Sequence, residues 1–224
     1  MDETDKVAQR YERRRGKELA PGENLFQDYM FKERELIYEK ILKFHFPDLS
    51  QVTVLEIGAG TGGNIYFFKH MGIKPQNIYA NELLQDRIVS LKTNHPEIHV
   101  LEGDALKINN GIKFDIVFQS TVFTSILDME FRKKLAGKMT ELTKNTGIIL
   151  WYDFTFNNPQ NKDVKRVTKK EIKDLFPSAS AYNFYRVTLA PPIGRRVGNF
   201  YSFFNIFPFL RTHLIALIIP GKKI

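Results

Sequence analysis

The segment Val54-Leu55-Glu56-Ile57-Gly58-Ala59-Gly60-Thr61-Gly62-Gly63 constrains this chain more than any other. An apolar run meets a carboxylate, and four glycines then fall within six positions. Glycine enters left-handed backbone freely and lets a main chain approach a ligand with no Cβ between them. A strand that ends in such a turn and feeds a helix predicts a nucleotide-binding corner in an α/β sheet.

The rest of the chain agrees with that corner. Strands are predicted near 52–57, 77–81, 98–102, 114–119 and 147–152, and helices near 63–71, 83–94, 128–143 and 168–176. Asp128 suits the N-cap of the third helix, and Gly147 closely follows its end. The alternation implies βαβ units and a mainly parallel sheet covered on both faces. Upstream, Leu25, Tyr29, Leu36, Ile37, Ile41 and Leu42 recur at helical spacing, and Pro47 ends that helix. Residues 1–18 are polar and read as a mobile arm or an exposed helix. This divides the chain into an N-terminal helical arm or cap (1–48) and an α/β domain (49–224).

Charge and composition narrow the function classes. The net charge is +8, yet residues 160–224 hold 12 Lys/Arg against 3 Asp/Glu, so the whole excess lies in the last 65 residues. Such asymmetry suits an anionic partner: a phosphorylated substrate, nucleic acid or a lipid surface. With no cysteine, thiolate metal sites and cysteine nucleophiles are excluded. The first residues lack the apolar core of a signal peptide, which predicts a cytoplasmic location. Between Asn199 and Pro220, Pro208, Arg211 and His213 interrupt the apolar stretch, so no run reaches the ~20 residues of a spanning helix.

Gly58, Gly60 and Gly63 also fit G-x-G-x-x-G, the dinucleotide fingerprint of NAD-dependent oxidoreductases. Against that reading, some 50 residues precede the strand, no Tyr-x-x-x-Lys pair occurs, and the strand carries Glu56. A carboxylate beside a pyrophosphate is repulsive. Glu56-Ile57-Gly58-Ala59-Gly60-Thr61-Gly62 instead resembles the first motif, [DE]-x-G-x-G-x-G, of the class I S-adenosylmethionine (SAM)-dependent methyltransferases. Further segments follow in that family's order: Ile78-Tyr79-Ala80-Asn81-Glu82, Glu102-Gly103-Asp104-Ala105-Leu106, Phe114–Gln119 and Gly147–Tyr152. The resemblance covers at least residues 50–155. It implies a Rossmann-like seven-stranded sheet of order 3-2-1-4-5-7-6, with strand 7 antiparallel and helices on both faces. Ala181–Leu189 and Thr212–Ile219 would supply strands six and seven.

The resemblance also implies a site. SAM would be the cofactor and S-adenosylhomocysteine the product, with no metal. Glu56, Gly58, Ala59, Gly60, Thr61 and Gly62 would hold its aminoacyl part. Asn81, Glu82 and Leu83 would hold the ribose, and Gly103, Asp104 and Ala105 the adenine edge. Gln119 and Ser120 end the fourth strand against the cofactor. The connection 190–211 would sit over the same edge as a lid-like insertion, with Arg195, Arg196 and Tyr152 as substrate contacts. Asp153 and His213 are the candidate bases for an oxygen acceptor. Tyr11 and Arg15 would fold over the cofactor.

The acceptor is less constrained. Gln119-Ser120-Thr121-Val122-Phe123 replaces the [DN]-P-P-[YF] of amino-methylating nucleic-acid enzymes, and Asn157-Asn158-Pro159 follows the wrong strand. Phe123–Asp128, Trp151–Phe154 and Leu189–Pro192 are similar to enzymes sharing the methyltransferase domain of ubiquinone/menaquinone biosynthesis. That similarity implies a small-molecule, sugar or lipid-linked acceptor. Methylation is expected on oxygen, and the basic tail makes peripheral contact with the inner face of a membrane a separate expectation. The alternatives are RNA or protein methylation through the basic tail, and a SAM-binding protein without turnover.

Overall fold

The computed structural model describes residues 3–14, 25–109, 111–157 and 161–221; Arg15, Asn158 and Pro159 lie outside this set. Seven strands form one sheet: β1 (Val54–Ile57), β2 (Ile78–Glu82), β3 (His99–Glu102), β4 (Phe114–Ser120), β5 (Thr143–Phe154), β6 (Ala179–Leu189) and β7 (Arg211–Pro220). Their order is β3-β2-β1-β4-β5-β7-β6. β7 is antiparallel to both its neighbours, and the other pairings are parallel. Glu56 stands level with Ala80 and Phe118, so β1, β2 and β4 end together.

Eight α-helices accompany the sheet among the described residues: α1 (Glu3–Arg14), α2 (Leu25–His45), α3 (Gly63–His70), α4 (Gln85–Asn94), α5 (Met129–Leu142), α6 (Lys169–Leu175), α7 (Pro191–Val197) and α8 (Tyr201–Phe204). Period-two alternation splits β1 between two cores. Val54 joins Phe68, Phe118, Leu150 and Tyr38 on one face. Leu55 and Ile57 join Val117, Leu135, Met139 and Trp151 on the other.

Local chemistry sets the boundaries. Asp128 caps α5, its Oδ1 accepting the Phe131 amide at 2.8 Å. Three details differ from the sequence expectation. First, β5 starts at Thr143, directly after α5, so Gly147 lies inside the strand rather than behind the helix. A Cβ there would stand 2.8 Å from the Asp115 carbonyl, beside the register shift between Phe114 and Ile116. Second, the inward stripe of α2 is Phe26, Arg34, Tyr38, Ile41 and Leu42, while Leu25 and Leu36 face outward. Third, α1 is not simply an exposed helix: Glu3 and Arg10 are buried against the body of the domain.

Arg132 of α5 ties together the loops around the sheet edge. Fully buried, it donates from Nε to the Ile126 carbonyl at 2.7 Å and from Nη2 to the Lys165 carbonyl at 3.1 Å, and it pairs with Glu171. Arg132→Met retains the bulk but strands these acceptors, and is expected to cost about 3 kcal/mol. Urea unfolding would show this as a lower midpoint at unchanged m-value.

Candidate functional site at the carboxyl edge

Behind β1 the chain turns through Gly58 (φ 64°), Gly60 (φ 61°) and Gly62 (φ 91°) before α3 begins. Two of these glycines are required twice over. A Cβ on Gly58 would lie 2.6 Å from Val122 Cγ2, and one on Gly62 would lie 2.5 Å from the His95 ring. Glu82, at the end of β2, fastens the turn. Its Oε2 accepts the Gly60 amide at 2.7 Å, while Oε1 accepts the Leu83 and Leu84 amides at 2.9 Å each. A carboxylate has about four acceptor positions, so this arrangement leaves one open.

Asn81 adds a second fastening. Its carbonyl accepts the Ala59 amide, and its Nδ2 donates to the carbonyls of Leu101 and Gly103, both at 2.9 Å. Asp104 caps the short turn 105–107 through the Leu106 amide at 2.9 Å. Ile57, Gly58, Asn81, Glu82, Leu83, Gly103, Asp104 and Ala105 thereby line one pocket of about 640 Å³, mouth included. Val122, Ile126 and Leu135 form its apolar wall, with Ser125 between them.

α1 covers this pocket with Thr4, Val7 and Tyr11. The Tyr11 hydroxyl meets Ser125 Oγ at 3.0 Å, and the Arg87 guanidinium lies 4.6 Å from the Tyr11 ring centroid. Arg10 bridges Glu3 (2.6 Å) and the Ser125 carbonyl (3.2 Å), while Glu3 accepts the Leu127 amide at 3.1 Å. The helix is thus latched to the loop behind β4.

The other face of the same edge is charged and buried. Glu56 accepts from Asn64 Nδ2 at 2.7 Å through Oε1, whereas Oε2 has no partner. Burial pushes its carboxyl up to about 8, against the opposing pull of Asn64 and Arg34. Arg34 descends from α2 and is 4% exposed. Its guanidinium lies 4.6 Å from the Phe31 ring centroid and 4.5 Å from that of Tyr152. Nη1 donates to Ser120 Oγ at 3.3 Å, and Nε has no partner. A buried carboxyl group and a buried guanidinium that interact electrostatically, each with one polar atom unmatched among the described residues, therefore lie at this edge.

The residues expected on the acceptor side are distributed unevenly. Tyr152 is buried, its hydroxyl 3.1 Å from Thr188 Oγ1, and Thr188 itself has φ +60°. His213 stacks on Tyr152 at 5.2 Å between ring centroids; burial and then Arg34 push its imidazole down to about 3, so it is neutral. Asp153 reaches the edge but points inward, accepting from Thr124 Oγ1 at 2.7 Å and Gln119 Nε2 at 3.0 Å. Burial lifts its carboxyl to about 7. Gln119 is fully buried in this contact, Thr61 is exposed, and Ser120 meets Arg34. Arg195 and Arg196 lie exposed on α7 and do not line the pocket.

Sequence reasoning missed Arg34, Asn64 and the pocket wall at Val122–Ile126. Arg34 did leave a signal: it stands four residues before Tyr38 and seven before Ile41, a charge on the apolar stripe of a helix.

No family model matches the chain. Over 144 residues it is 31% identical to a malonyl-[acyl-carrier protein] O-methyltransferase of Calditerrivibrio nitroreducens; the match takes in 64% of this chain and 52% of that protein. The chain thus spans about half the length of this curated relative. In three dimensions it is similar to magnesium protoporphyrin IX methyltransferase of Synechocystis PCC 6803, solved with SAM bound (TM-score 0.61, 11% identity, 97% of each chain covered). It is likewise similar to a TehB-like SAM-dependent methyltransferase of Corynebacterium glutamicum (TM-score 0.56, 12% identity, 98% of each chain). The fold is that of the class I SAM-dependent methyltransferases. Strand order and the antiparallel β7 agree with the expectation drawn from the motifs.

Proposed function

We propose that this chain is a SAM-dependent methyltransferase acting on an oxygen of a small-molecule or glycan acceptor. One observation carries the reading: buried Glu56 and Arg34 each retain an atom unmatched among the described residues at this edge. An α-amino-acid zwitterion answers both, with its ammonium at Glu56 and its carboxylate at Arg34 and Ser120. The methionyl part of SAM is such a zwitterion. The pocket across the turn takes the nucleoside, with Glu82 and Asn81 on the ribose side and Asp104 with Ala105 at the base.

When bound, SAM supplies an electrophilic methyl group on a sulfonium, and the protein's task is alignment and exclusion of water. α1 covers the nucleoside side. The acceptor then lies over the ends of β4, β5 and β7, below the insertion 190–211. Asp153 serves this region by fixing Gln119 and Thr124. The name of the Calditerrivibrio relative supports oxygen as the acceptor atom.

The test has two stages. S-adenosylhomocysteine should raise the melting temperature and NADH should not; the reverse result overturns the reading. Labelled SAM screened against carboxylic acids, hydroxylated small molecules and glycans then identifies the acceptor. With that acceptor, His213→Asn should change kcat little, because an imidazole pushed down to about 3 is too weak a base to take the acceptor's proton. The same variant should retain the thermal shift with S-adenosylhomocysteine.

A further inference from the structure

We infer that the connection between β6 and β7 is a docking surface for an anionic lipid bilayer. Within ten residues, Phe200, Phe203, Ile206 and Phe209 are 70%, 58%, 66% and 73% exposed, and Phe207 is also exposed. Ring centroid separations of 6.1 Å (Phe203–Phe207) and 5.8 Å (Phe207–Phe209) place Phe203, Phe207 and Phe209 side by side. A soluble surface rarely gathers so many large apolar groups without a partner.

These side chains are held outward by an anchored scaffold. Tyr201 is buried, stacks on Tyr29 at 5.0 Å, and donates to Glu33 Oε2 at 2.9 Å. Asn205 Nδ2 donates to Glu33 Oε1 at 2.8 Å, and Arg211 Nε donates to the Asn205 carbonyl at 2.8 Å. The inward half of the segment therefore fixes the outward half.

Charge selects the partner. From Phe176 to the C-terminus the chain has six Lys/Arg and no acidic residue. Arg195 and Arg196 are exposed on α7, which contacts α8. Where α2 meets α8, Lys32, Glu33 and Arg211 share a groove with Leu36 and Ile206, so cations outnumber the one carboxylate there, which accepts from Tyr201 and Asn205. A protein interface surrounds its apolar centre with polar groups of both signs. Projecting aromatics bordered by cations instead match a helix-and-loop surface lying in lipid headgroups. Among the described residues no helix is long and apolar enough to cross a membrane, so contact would be with one leaflet. This inference is independent of the methyl-transfer reading.

The test is co-sedimentation of the full chain with vesicles of phosphatidylcholine, alone or with about 30 mol% phosphatidylglycerol. The chain should pellet with the anionic vesicles at least about tenfold more strongly, and less so in about 0.5 M salt. Phe200→Ser with Phe209→Ser should weaken partitioning about a hundredfold, with an unchanged melting temperature. Trp151, the only tryptophan, is fully buried, so Phe209→Trp adds an exposed reporter whose emission should shift to the blue on anionic vesicles. The inference is overturned if the wild type stays in the supernatant with both vesicles or if the double variant binds as the wild type does. It is also overturned if the patch proves to join two copies of the chain, with the double variant abolishing a dimer and neither form binding vesicles.

Discussion

Glu56→Gln is expected to abolish the thermal shift produced by S-adenosylhomocysteine, with affinity falling about a hundredfold to a thousandfold. The amide keeps the size and the contact with Asn64 but cannot offer a charge to an ammonium group. The ligand-free protein should respond in the opposite sense. Burial raises the Glu56 carboxyl from 4.5 to about 8, so the folded chain keeps a proton that the unfolded chain gives up. The contribution of this group to stability is therefore full below about pH 4.5 and is lost as pH rises to about 8, by a few kcal/mol. Asp153, raised to about 7, adds to the same trend, whereas His213, pushed down to about 3, acts in the opposite direction at acid pH. Glu56→Gln removes its own share, so the variant should melt above the wild type at pH 8.5 while failing to bind. Calorimetry in buffers of different ionisation heat should show the wild type releasing about one proton on binding at pH 7. Wild-type affinity in the variant would remove Glu56 from the ligand site.

Arg34→Met carries the second large effect. The guanidinium is buried between Phe31 and Tyr152, with one long contact to Ser120 and no salt bridge to a carboxylate among the described residues. A buried cation without a close counter-ion is a cost to the folded state unless a ligand completes it. Methionine has similar bulk and no charge, so the ligand-free variant should be as stable as the wild type or more so. Its affinity for S-adenosylhomocysteine should fall about a hundredfold, because a ligand carboxylate is left without its charged partner. Arg34→Lys should not restore binding, since an ammonium cannot reproduce the planar fork held between two rings. The His213 imidazole, pushed down by burial and by Arg34, should titrate at higher pH in Arg34→Met, observable by NMR. A destabilised variant with intact binding would mark Arg34 as structural.

These two residues also show where sequence reading stops. Glu56 was legible because it precedes its glycines by two residues on a single strand, and one strand's geometry places both. Arg34 was not, because it lies 22 residues upstream on a helix whose orientation depends on packing against the sheet. The acceptor side divides in the same way. Asp153 and His213 were placed at the correct edge by strand order, but alternation along β5 could not reveal that Thr124 and Gln119 close around Asp153. Nor could composition show that Arg195 and Arg196 face solvent on a short helix, away from the pocket.

What the sequence alone determined is the sheet and the glycine turn at its edge: alternating apolar periods specify βαβ units, and a glycine-rich turn needs left-handed backbone wherever it occurs. These are local properties, carried by neighbours in the chain. Only the tertiary structure decided that α1 covers the pocket, that Arg34 comes to the same edge as Glu56, and that the aromatics of the β6–β7 connection point outward. Each of those joins segments distant in the chain, where packing and the partnering of buried charge choose among arrangements that local propensity leaves equal.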